Sequence, residues 1–97
     1  MKCQELMAKL EELSPAHFAQ NWDNVGLLVG SPEKEVKSVY ITLDATDEAI
    51  DEAIKLGADM VISHHPLIFK GIKQVRGDNF IGRRIIRLAQ KDMCYFA

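Results

Sequence analysis

Met60-Val61-Ile62-Ser63-His64-His65-Pro66-Leu67 is the stretch on which the reading of this chain turns. Met60-Val61-Ile62 is apolar at successive positions, which a strand needs when both of its faces are covered, as in the middle of a parallel sheet. Pro66 lacks an amide hydrogen and holds the residue before it extended, so ladder pairing ends there. Upstream, Ala49, Ile50, Ala53 and Ile54 share one face of a helix that Thr46 caps and Gly57 terminates. Asp47 and Glu48 suit the positive end of that helix. Before it, Ser38-Val39-Tyr40-Ile41-Thr42-Leu43 is rich in β-branched and aromatic residues and is bounded by Asp44, the pattern of a strand. Downstream, Asn79 to Lys91 forms a second helix that buries Ile81, Ile85, Leu88 and Ala89 and leaves Arg83, Arg84 and Arg87 to water. Met93-Cys94-Tyr95-Phe96-Ala97 then begins a third strand. The order predicts an α/β fold: a βαβαβ unit with parallel strands and right-handed crossovers.

On the amino-terminal side, Cys3, Leu6, Met7, Leu10 and Leu13 line one face of a helix over Lys2 to Leu13, and Ser14-Pro15 closes it. His17 to Asn24 reads as loop, and Val25 to Gly30 as a short strand bracketed by glycines. The last strand reaches Ala97 with no turn behind it. The 97 residues are therefore expected to be the first part of a longer single domain, with that strand open and adhesive until more chain follows.

Composition narrows the function classes. Lys plus Arg is 12 and Asp plus Glu is 14, a net charge of −2, so nucleic acid is a poor partner for this surface. No apolar run approaches the ~20 residues that cross a bilayer, and the first residues lack a signal-peptide core. Cys3 and Cys94 stand far apart without a Cys-x-x-Cys pattern and read as reduced thiols, which together with the missing signal suggests a cytoplasmic protein.

Ligands of parallel sheets gather beyond the carboxyl ends of the strands, and His64 and His65 stand at such an end. Imidazole suits zinc, iron, nickel, manganese or copper, and two histidines complete none of their ordinary sites. Adjacent side chains on a strand point to opposite faces. The pair therefore suits two close ions, or a strand that has already ended, better than joint chelation of one ion. Asp44, at the end of the neighbouring strand, joins Thr46 in capping the helix, orients a histidine as an outer-shell carboxylate or holds a metal-bound water, roles that do not exclude one another. His17, the remaining histidine, reads as a solvent-facing or backbone-capping residue. Trp22-Asp23-Asn24 reads chiefly as a loop anchor and turn, and Gly26 as a position of unusual backbone angle. Lys70, Lys73 and Arg76 follow the histidines, either as solvated loop charge or as partners for substrate phosphates.

Trp22-Asp23-Asn24-Val25-Gly26-Leu27, Leu43-Asp44-Ala45-Thr46, Gly57-Ala58-Asp59 and Ser63-His64-His65-Pro66-Leu67 stand in the order and spacing of one family. Along essentially its whole length the chain resembles the amino-terminal third or so of the Nif-three-like family, whose bacterial members carry the name GTP cyclohydrolase I type 2. The resemblance implies a toroidal homohexamer of α/β subunits, each with a dinuclear metal site in which His64 and His65 are ligands. The other family ligands, an aspartate in a His-Thr-Asn-x-Asp-like stretch and a His-x-x-x-Glu pair, correspond to positions beyond Ala97.

The expected function is that of a metal-dependent hydrolase acting on a nucleotide through metal-activated water, with two divalent transition-metal ions per complete subunit. Phosphoester hydrolysis is the enzymatic alternative, and a metal-binding scaffold or interaction protein the non-catalytic one. By themselves the 97 residues are expected to bind metal weakly or not at all, because two imidazoles leave most coordination positions to water.

Overall fold

The computed structural model describes residues 1–13, 26–68 and 72–97. His17, the Ser14-Pro15 stop, Trp22-Asp23-Asn24 and Lys70 lie outside them. Helix α1 covers Cys3–Leu13, followed by strand β1 (Leu27–Val29), β2 (Val39–Asp44), helix α2 (Asp47–Lys55), β3 (Met60–His65), helix α3 (Phe80–Gln90) and β4 (Cys94–Phe96). The four strands form one sheet in the order β1-β4-β3-β2. Strands β2, β3 and β4 are mutually parallel, as the alternation of strand and helix predicts.

Strand β1 departs from that plan. It pairs antiparallel with β4, and Gly26 and Ala97 exchange backbone hydrogen bonds of 2.9 and 3.1 Å at the end of the pair. The last strand is therefore paired on both sides rather than open. The glycines around β1, both at positive φ, let a three-residue strand turn sharply into and out of the sheet. Gly30 has φ +108°, and a Cβ there would sit 2.9 Å from both the Cα and the Sγ of Cys94. Only glycine meets both requirements.

Each face of the sheet has its own cover. On one, Val61 and Tyr95 pack with Ala45, Ile50, Ala53, Leu67, Leu88 and Met93, a core supplied largely by α2 and α3. On the other, Cys3, Val36, Met60 and Cys94 form a second cluster beneath α1, with Leu6, Met7 and Ile62 against it. Both cysteines are free and buried, and burial together with a hydrogen bond to Cys94 pushes the Cys3 thiol up to about 11. The apolar faces read from the sequence hold for α2 and for most of α3. Leu13 and Ala89 depart from the expected buried faces: each lies in the last turn of its helix, α1 and α3, and both are exposed.

Helices begin where their caps are satisfied. Thr46 Oγ1 accepts the Ala49 amide at 3.0 Å, and Asn79 Oδ1 accepts the Gly82 amide at 2.7 Å. Gly57, at φ +74°, ends α2 as its position suggests. The α3 arginines are not simply wet. Arg83 and Arg84 both bond Asp47 at 2.7 and 3.0 Å, and Arg87 bonds Asp51, so two exposed faces are laced into a helix-to-helix ion-pair network. Arg84 also lies over the Phe80 ring, 5.1 Å from its centroid. Among the described residues no helix is long and apolar enough to cross a membrane.

Hydrogen bonds from Arg83, then from Arg84, hold the Asp47 carboxyl down at about 2. Its folded value lies below its unfolded one, so the stabilisation is complete above the ordinary carboxylate range and is lost as pH falls through about 2. Asp47→Asn is accordingly expected to lower the melting temperature at neutral pH and to converge with the parent chain at the acid end of a thermal-melt series. Equal offsets across the whole pH range would show that the network contributes nothing through charge.

Candidate metal-binding site

Strand β3 is paired on both sides. On one, register sets Met60, Val61 and Ile62 against Cys94, Tyr95 and Phe96 of β4. On the other side β2 continues, pairing Thr42 with Ser63 and Asp44 with His65. Burial follows this geometry: Met60, Val61 and Ser63 are buried, whereas His64 and His65 are exposed. The strand thus lifts two imidazoles out of the core at the edge where α/β sheets bind ligands.

Strand β3 runs through His65 and has not ended before the pair, so the two side chains start on opposite faces. Their rings nevertheless meet edge to face, with centroids 4.9 Å apart and planes at 82°. His65 Nδ1 lies 2.8 Å from Asp44 Oδ1. A carboxylate at Nδ1 settles the ring's orientation and leaves Nε2 as its outward nitrogen, the arrangement common to metal-binding histidines. Asp44 does not share in capping α2, a role that Thr46 performs alone; its carboxylate is turned to the histidine. The structure thus sets the Asp44 carboxylate against the His65 ring.

Beneath these rings lies a hydroxyl chain that the sequence reading did not single out. Tyr95 is fully buried, and its hydroxyl accepts the Leu67 amide at 2.9 Å. The same hydroxyl makes a short contact with Ser63 Oγ and lies 3.2 Å from the His65 carbonyl. Ser63 Oγ donates to that carbonyl at 2.7 Å. One proton order satisfies the set: Leu67 N–H to Tyr95, Tyr95 to Ser63, and Ser63 to the His65 carbonyl. Burial pushes the Tyr95 phenol up, so it stays protonated and able to donate, although its bonds with Ser63 and Leu67 pull the other way. A tyrosine in an apolar strand was the available signal, since a buried phenol needs a partner.

Arg76 pairs with Asp78 at 2.6 Å, and Lys73 is exposed. Neither is drawn to the histidines by any contact of the described residues. Among those residues no three imidazole, thiol or carboxylate groups are grouped so as to hold a metal ion. What the chain presents is a pair of imidazoles, one carrying a carboxylate partner, which suits part of a coordination sphere and not the whole of one.

An α/β sheet with two histidines raised at its carboxyl edge defines the class of protein. Within that class the chain belongs to the family described as Duf34/NIF3 (NGG1p interacting factor 3), whose pattern matches residues 1–97. It is 43% identical over 93 residues to the GTP cyclohydrolase 1 type 2 homolog of Staphylococcus epidermidis, covering 96% of this chain and 25% of that protein. The crystal structure of Staphylococcus aureus protein SA1388 superposes with TM-score 0.95 at 43% identity, over all of this chain and 28% of the other. That of a Bacillus cereus protein related to NIF3 gives 0.93 at 38% identity, over all of this chain and 27% of the other. The chain thus spans roughly a quarter of the length of these relatives.

Removing the Tyr95 hydroxyl while keeping its ring tests the account of the strand end. Tyr95→Phe strands the buried Leu67 amide, at an expected cost of ~1–3 kcal/mol in urea denaturation. A loss no larger than that of Tyr40→Phe, whose hydroxyl takes no part in the chain, would contradict it.

Proposed function

We propose that this chain supplies part of the dinuclear metal site of a cytoplasmic metal-dependent hydrolase acting on a nucleotide. His64 and His65 are the ligands, and Asp44 orients the His65 ring. The observation that carries the reading is the Asp44–His65 hydrogen bond beside a second imidazole at the carboxyl edge of a parallel sheet. A structural ion pair would suffice to explain Asp44 and His65 alone, but not a second exposed histidine against the same ring. The relatives' name, GTP cyclohydrolase 1 type 2 homolog, supports a purine nucleotide as substrate. Divalent ions held there would supply Lewis-acid activation of water and stabilisation of developing negative charge. The chain's own residues hold and orient: β3 presents the imidazoles, Asp44 keeps the His65 Nδ1 proton, and the hydroxyl chain ties down the backbone behind them.

The remaining ligands belong to the part of the family chain that these residues do not cover. Self-assembly, a ring of six copies, accompanies this reading. Strand β2 is a sheet edge with Ile41 76% and Leu43 60% exposed, an apolar strip that supports burial in an assembly. The family description as an interacting factor supports a second reading, a metal-binding scaffold without turnover.

Metal content and turnover separate the two readings in protein of the relatives' length. A hydrolase releases phosphate or formate from a nucleotide panel when metal-loaded, and His64→Ala combined with His65→Ala abolishes both the metal and the release. Metal without turnover across the panel favours the scaffold. No co-purifying transition metal and no uptake on titration removes the site itself.

A further inference from the structure

The sequence motif ends at the histidines, but the structure ties them to a residue of another strand. His65 is held at two points: its ring by Asp44, and its carbonyl by Ser63, whose hydroxyl accepts in turn from Tyr95. The second hold acts on the peptide that carries the imidazole. Pro66, which follows at once, cannot donate a hydrogen bond, and the next available amide is that of Leu67. Tyr95 captures that amide and donates to Ser63, so the phenol fixes Leu67 directly and the His65 carbonyl through Ser63.

Ser63 and Tyr95 are an expensive way to fill this space if packing is their sole purpose. Both side chains are buried, Ser63 at 3% exposure and Tyr95 at 0%. Alanine and phenylalanine would fill nearly the same volume, but they would leave the Leu67 amide and the His65 carbonyl without these partners. What the apolar pair lacks is a hold on the His65 carbonyl. That carbonyl is two bonds from the Cα bearing the imidazole, so a shift of the peptide plane moves the ring directly.

We propose that Ser63 and Tyr95 are positioning residues for the metal-binding imidazoles, their hydroxyl chain setting the backbone of His65–Leu67 so that the Asp44-held ring keeps its Nε2 aimed at the ion. The inference rests on the metal reading above and extends it to two residues outside the His-His-Pro motif. Neither residue touches the ion; both act through the peptide that carries a ligand. Metal sites depend on such support, because ligands held loosely lose affinity even when all of them are present.

Co(II) titration of the protein at the relatives' length, followed by its visible spectrum, tests the inference. Tyr95→Phe and Ser63→Ala are each expected to weaken Co(II) binding by ~10-fold or more, the usual effect of removing an outer support, and to shift the ligand-field bands. Val36→Ala, which shortens a core side chain on the other face of the sheet, is expected to lower the melting temperature while leaving affinity and bands unchanged. Parent-like affinity and bands in both hydroxyl variants overturn the positioning role and leave the metal reading standing. If Val36→Ala weakens binding as much as they do, the effect is one of stability alone and the proposal falls. Should Tyr95→Phe fail to fold, Ser63→Ala decides the matter, since it removes one small group. Absence of Co(II) uptake by the parent protein overturns the metal reading, and the positioning role with it.

Discussion

Strand β3 must satisfy its backbone on both edges and cover its side chains on both faces, and the rest of the fold answers that demand. A buried peptide group without a hydrogen-bond partner costs more than most single contacts return. Strands β2 and β4 supply the partners, α2 and α3 close one face, and α1 closes part of the other. At its amino end Asp59 joins the three strands. Its carboxylate accepts the Lys37 and Ser38 amides, its own amide bonds the Ser38 carbonyl, and its carbonyl accepts from Cys94. The Lys37 bond, ahead of that from Ser38, holds this carboxyl below the usual range. One end of β3 is thereby closed by backbone and a carboxylate.

The other end carries the candidate site. There β2 pairs Thr42 with Ser63 and Asp44 with His65, which sets the Asp44 carboxylate beside the His65 ring. Ser63 and Tyr95 hold the backbone below, Ser63 at the His65 carbonyl and Tyr95 at the Leu67 amide.

The α2–α3 surface offers a contrast. Asp47, Asp51, Arg83, Arg84 and Arg87 gather more charged groups than the histidine site, in a cleft of about 140 Å³ lined by four of them. Every one of these charges has an opposite partner in contact, and exposed pairs of this kind contribute little each. They tie two helices together and leave no group unspent for a ligand. His64 and the outer nitrogen of His65 differ in having no such internal partner among the contacts that hold the site together.

Local patterns were enough to determine most of the elements and the position of the histidines. Periodicity of 3.6 or 2, a threonine or asparagine before a helix, a glycine after it and a proline after a strand act within a few residues, so they are legible without the fold. They placed α1, α2, α3, β2, β3 and β4, the Thr46 cap, the Gly57 stop and the His64–His65 pair at a strand end, and the spaced motifs carried the family. Tertiary structure alone decided which side of the sheet β1 would join, that Arg83 and Arg84 would meet Asp47, that Asp44 would turn to His65 and not to the helix, and that Tyr95 would reach Ser63 and Leu67. Those contacts join residues 21 to 37 positions apart, or further for β1 and β4, and depend on strand register and helix placement. No short-range pattern encodes a register, because it emerges only when whole elements pack against one another.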